Sequence, residues 1–211
     1  ALIVQFVAPV RSYIDSSRRA ALADTADTAL RRIGRDLRLA LPNSVRVDGT
    51  GKYVEFLLVR TGGRYRTDID PAATLTCDDG ASAVPANDVL GFSAADSCFK
   101  TLGAIPSLPV TIDASPTKGD FLVVFNLQPG TANADAYEFA GTGGNKSKVS
   151  AAVAGTGANT GQDRIAFASN PFTYESPGNR FFIIEGPVTY GCAGGTLTRY
   201  WGYTITTTQT P

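Results

Sequence analysis

Apolar positions along the chain fall into two regimes that meet at Pro42. Before it, Leu22, Ala26, Ala29, Ile33, Leu37 and Leu41 recur every three or four residues, the spacing that gathers side chains on one face of an α-helix. The opposite face carries arginine and aspartate, Gly34 is the only glycine from Ser12 to Leu41, and Pro42 with Asn43 and Ser44 supplies a stop. The spacing predicts a helix over residues 12–41. Upstream, residues 1–10 are apolar apart from Gln5, and Pro9 either opens the helix or kinks a longer one. That stretch is far shorter than the ~20 residues of a spanning helix. It reads either as a tucked terminal strand or as the cut end of a longer membrane segment.

After Pro42 the period shortens. Val45-Arg46-Val47 alternates, Asp48-Gly49-Thr50-Gly51 is turn chemistry, and residues 53–59 are strongly β-prone, leading through Thr61-Gly62-Gly63 into Arg64-Tyr65-Arg66. This predicts a meander of short antiparallel strands. Residues 67–118 hold only short apolar pieces, Val89-Leu90-Gly91-Phe92 and Leu108-Pro109-Val110-Thr111-Ile112, and read as an irregular insert. Residues 121–125 form the clearest buried strand, with a small-residue loop over 129–136 and a Gly-rich loop over 141–161. Residues 164–167 and 180–184 are further strands, and Val188-Thr189-Tyr190, a turn at Ala193-Gly194-Gly195 and residues 197–203 make a hairpin. The expected fold is α+β: a helix over 1–42 whose stripe of Leu22, Ala26, Ile33 and Leu37 packs on the antiparallel sheet of a domain over 43–211.

Composition narrows the chemistry. The chain has no histidine, which removes Ser-His-Asp and Cys-His units and His-ligated zinc. Its three cysteines, Cys77, Cys98 and Cys192, have no Cys-x-x-Cys spacing. A Cys77–Cys98 disulfide would tie the polar insert and stabilise it by roughly 3 kcal/mol in an oxidising compartment; only nearness in sequence favours it among three pairings. Cys192 reads as a small buried residue at a strand end. With no methionine, Ala1 is expected to follow processing or trimming. Net charge is zero, yet residues 1–41 carry seven arginines against four aspartates. Opposite charges at Asp15/Arg19, Asp27/Arg31 and Arg32/Asp36 offset that basic helix. It also lacks aromatics between Ile14 and Leu41, so no nucleic acid is expected.

Other motifs are weak. Gly141-Thr142-Gly143-Gly144-Asn145-Lys146-Ser147 lacks the glycine that precedes a phosphate-loop lysine. Asp68, Asp70, Asp78 and Asp79 suit a solvated turn as well as calcium, and Glu55, Glu138, Glu175 and Glu185 sit in no glycosidase frame. Asn145-Lys146-Ser147 is a formal glycosylation triplet. No cofactor, metal or catalytic residue is expected.

The layout is more specific. An apolar lead-in, a proline, an Ala- and Arg-rich amphipathic helix and a β-rich domain resemble the type IV pilins. Residues 20–47, from Ala20-Ala21-Leu22-Ala23 to Ser44-Val45-Arg46-Val47, are similar to the helix-to-first-strand segment of minor pilins of mannose-sensitive haemagglutinin (MSHA) pili. Gly119-Asp120-Phe121-Leu122-Val123-Val124, Asn179-Arg180-Phe181-Phe182-Ile183, Pro187-Val188-Thr189-Tyr190-Gly191-Cys192 and Leu197-Thr198-Arg199-Tyr200-Trp201-Gly202-Tyr203 resemble later blocks, and the J-type pseudopilins of type II secretion are further relatives by similarity. The resemblance implies a pilin-like fold and a non-enzymatic filament subunit. It implies other minor pilins or pseudopilins, a major pilin and an inner-membrane assembly platform as partners. The domain would be periplasmic before assembly and in the pilus or pseudopilus afterwards, with Leu2, Ile3, Phe6, Val7, Val10 and Ile14 in the membrane or filament helix bundle. The cleavage site and acidic residue of that family would lie before Ala1. A different expectation is a secreted glycan- or surface-binding module that stacks ligands on Tyr200, Trp201 and Tyr203.

Overall fold

The computed structural model describes residues 2–68, 77, 88–92, 94–106, 108, 112–113, 119–138 and 144–209, with backbone alone at 2–10 and 158. The chain divides into two compact units, Ala1–Arg38 and Leu39–Pro211.

The first unit is one helix, α1 (Leu2–Arg38), of 37 residues and about 55 Å by its rise per residue. The apolar lead-in is therefore helical, not a terminal strand, and Pro9 lies inside the helix without opening it. Asp27 and Arg31 form the expected i, i+4 ion pair at 2.8 Å, while Asp36 has Arg35 at 3.8 Å. The helix stops three residues before the predicted Leu41. Leu41 precedes a proline, which disfavours helical geometry, and residues 39–41 pair instead with the sheet. Val59 N–H donates to Leu39 O and Leu41 N–H to Leu57 O, each at 2.8 Å, and Leu41 is fully buried.

The second unit is a curled antiparallel sheet. Its strands are β1 (Arg46–Val47), β2 (Tyr53–Arg64), β3 (Asp96–Lys100), β4 (Phe121–Val124), β5 (Lys146–Val153), β6 (Arg164–Asn170), β7 (Arg180–Ala193) and β8 (Thr196–Trp201). Their order is β1-β2-β7-β4-β5-β6-β3, with β8 pairing β7. The protein is thus α+β, but dominated by strands.

Burial on both faces explains the continuous apolar runs at the centre. Leu122 and Val124 of β4 join Phe181 and Ile183 of β7 in one cluster with Tyr65, Phe99 and Phe167. Phe121, Val123 and Ile184 face the other way into a second cluster with Leu41, Leu57 and Tyr137. Every residue of both clusters lies between Leu41 and Ile205.

Four predicted elements change. The meander break at Gly62-Gly63 is absent: β2 runs through both glycines because β7 crosses too closely for a side chain, a Cβ at Gly62 falling 2.9 Å from Phe181 O. The Gly-rich loop over 141–161 contains β5, whose Val149 is fully buried. The irregular insert contains β3, where Cys98 and Phe99 are buried. The two predicted runs at 180–184 and 188–190 are one strand, β7. The hairpin turn is as expected: Ala193 pairs with Thr196, and Gly194 and Gly195 take φ of 59° and 77°, the left-handed pair of a tight two-residue loop.

Candidate functional site

Two kinds of surface carry the candidate residues: the helix and the sheet with its insert. Leu2, Ile3, Phe6, Val7 and Val10 lie on the helical backbone of α1. Ile14 and Tyr13 follow, both exposed, and Leu22 is 70% exposed. Ala26 and Leu37 are also exposed, and Ile33 is half-buried. Among the described residues no helix is long and apolar enough to cross a membrane.

Cys77 and Cys98 are joined by a disulfide with Cα atoms 5.5 Å apart, and both are buried. The bond ties Cys77 to β3 within the insert, and β3 pairs with β6. Cys192 is exposed rather than buried, since β7 ends there in the hairpin. Asn145 is 3% exposed and donates to Asn126 Oδ1 at 3.2 Å, so the glycosylation triplet is folded into the sheet. Of the four aspartates weighed for calcium, Asp70, Asp78 and Asp79 lie outside the described residues, and no group suited to a metal ion occurs among the described ones.

The three aromatics weighed for ligand stacking do not form one platform. Tyr200 and Trp201 are adjacent in β8 and point to opposite faces. Trp201 is 65% exposed with the Arg199 guanidinium 5.1 Å from its ring. Tyr203 is instead part of a buried polar clasp.

That clasp was not legible as a unit. Glu55, the one charge in an apolar run of β2, is fully buried. Its Oε1 accepts from Arg46 Nε at 2.9 Å and Nη2 at 2.5 Å, and its Oε2 from Tyr203 at 3.0 Å and Thr189 at 3.2 Å. Arg46 also donates to the Thr206 and Thr207 carbonyls and lies 3.6 Å over the Tyr137 ring, whose hydroxyl donates to Ser44 O at 2.8 Å. Burial, with the Glu55 charge adding to it, pushes both tyrosine hydroxyls up, so they stay neutral donors. The geometry saturates the carboxylate and joins the start of the domain to its C-terminal tail. No lone pair is left for acid or base chemistry. The sequence signal was a single glutamate in a β-prone run with an arginine beyond the preceding turn.

Lys146, the lysine at the end of the Gly-rich stretch, begins β5 and is buried. Desolvation lowers its pKa to about 7, against the opposing pull of Asp135 and Glu138. Its ammonium donates to Ala136 O at 2.5 Å.

Fold and site together define a strand-dominated α+β protein with one long N-terminal helix and a disulfide-tied insert. Comparison with protein-family models, curated proteins and solved structures finds no match to any of them.

Proposed function

We propose that the protein is a minor pilin or pseudopilin, close in kind to the MshO minor pilin of MSHA pili, that helps initiate or cap a filament. The reading rests on one observation above all: a 37-residue helix precedes a domain whose core clusters all lie between Leu41 and Ile205. A domain with its own core leaves the helix stripe for association. Leu2, Ile3, Phe6, Val7, Val10 and Ile14 would enter the helix bundle of membrane or filament, where dispersion contacts between helices replace contacts with lipid. Leu22, Ala26, Ile33 and Leu37 would continue that stripe along the helix. The proposed role is structural and non-enzymatic. The domain would face the periplasm before assembly.

The experiment is deletion and complementation in the source cell, scored by filaments counted in electron micrographs. Loss of filaments, restored by the wild-type gene but not by one with polar residues at Leu2, Ile3, Phe6 and Val7, is the expected result. Unchanged filament number after deletion overturns the reading.

A further inference from the structure

A cavity of about 210 Å³ opens between the ends of β3, β5 and β6 and the loop joining β5 to β6. Lys100 of β3 forms its floor. That lysine and Asp88 are each 1% exposed and paired at 3.1 Å, while Asn159 Oδ1 lies 3.5 Å from the ammonium. An ion pair this deep is costly to desolvate. The floor is electrically balanced.

The wall is not. Arg164, half-buried at the start of β6, lines the cavity, and its side chain has no hydrogen-bond or ion-pair partner among the described residues. No carboxylate is among the lining residues. Asp163, beside Arg164 in sequence, is spent on the backbone: its two oxygens accept from Gly155 N–H at 3.0 Å and Ile105 N–H at 2.5 Å. Those bonds hold the loop in place before any ligand arrives. The loop is folded so tightly on Gly155 that a Cβ there would sit 2.0 Å from Asn159 O. A preformed wall with an open guanidinium fork matches a carboxylate, which it grips through two parallel hydrogen bonds.

The rest of the lining selects the body of the ligand. Thr156, Asn159 and Gln162 line the cavity with hydroxyl and amide side chains, and Val153 and Ala154 give it an apolar side. The volume is below the usual ~300–1,000 Å³ of drug-sized pockets and suits one sugar ring. We propose that this cavity binds an acidic monosaccharide of the hexuronate class, with its carboxylate on Arg164 and its hydroxyls on the amide side chains. The site is separate from the helix and independent of the filament reading. A free sugar acid and the terminal residue of a surface glycan share this chemistry.

The test is calorimetric titration of the whole protein with glucuronate, glucose and inorganic phosphate, alongside amide chemical shifts. Glucuronate should bind saturably, at least tenfold tighter than either comparison compound, with shifts centred on residues 153–164. Arg164→Gln should weaken it about tenfold or more, the loss expected of one charge-assisted contact. Arg164→Lys, which keeps the charge but not the fork, should fall between. A glucuronate-terminated oligosaccharide binding tighter than the monosaccharide assigns the source to a glycan; equal binding assigns it to the free acid. Absence of saturable glucuronate binding, equal binding of glucose or phosphate, or shifts elsewhere in the wild-type protein would overturn the proposal without touching the filament role.

Discussion

Glu55 and Lys146 show how differently a buried charge can be treated within one sheet. Glu55 has four donors on its two oxygens. Removing its ionic partner by Arg46→Met leaves a carboxylate in the core, which should cost about 3–5 kcal/mol in urea unfolding. Replacing Thr206 should cost far less, since its part is a backbone carbonyl that any residue keeps. Lys146 is a liability whose size depends on pH. Its folded pKa of about 7 lies below the ordinary 10.5, so between those values the unfolded chain binds the extra proton. The penalty is full below pH 7 and fades as pH rises toward 10.5. The stability of wild type minus that of Lys146→Met should therefore climb over that window; a flat difference would contradict the burial. Neither role was legible in the sequence, because burial of a charge is decided by partners distant along the chain.

At the level of elements, strands buried on both faces were easy to read and half-buried ones were not. The run at 121–125 announced β4, and the two glycines after Ala193 announced the hairpin. β3 was missed because Asp96-Ser97-Cys98-Phe99-Lys100 puts polar residues in a strand that gains its place from β6 and the disulfide. β5 was missed because its small residues carry almost no hydrophobic signal, although Val149 is core. The glycines of β2 read as a break when they are a close crossing. Gly62→Ala should destabilise by about 1–3 kcal/mol, read from the urea midpoint, because the added carbon meets backbone that cannot rotate away. Opening the insert with Cys77→Ser and Cys98→Ser together should cost roughly 3 kcal/mol. Free thiols in the unreduced wild-type protein, counted at three by mass spectrometry after alkylation, would contradict the bond.

For the whole molecule, the division at Arg38 matters most. The α+β class, the long helix and its arginine-and-aspartate face were legible from periodicity alone; where the helix ends was not, because Leu39 to Leu41 are drawn off by pairing with β2. Residues 39–211 contain both core clusters, so that fragment should fold alone with a cooperative transition near that of the full chain. A fragment that remains unfolded would mean that the helix is required for the core. What the helix is for is then a question of partners. The most direct measurement is photo-crosslinking in the source cell from a probe amino acid placed at Ile14 or Leu22, with the adducts identified by mass spectrometry. The filament account predicts adducts to pilin or pseudopilin subunits from both positions, lost when Leu2, Ile3, Phe6 and Val7 are made polar. Probes that yield no adduct to such subunits, or adducts indifferent to those substitutions, would contradict it.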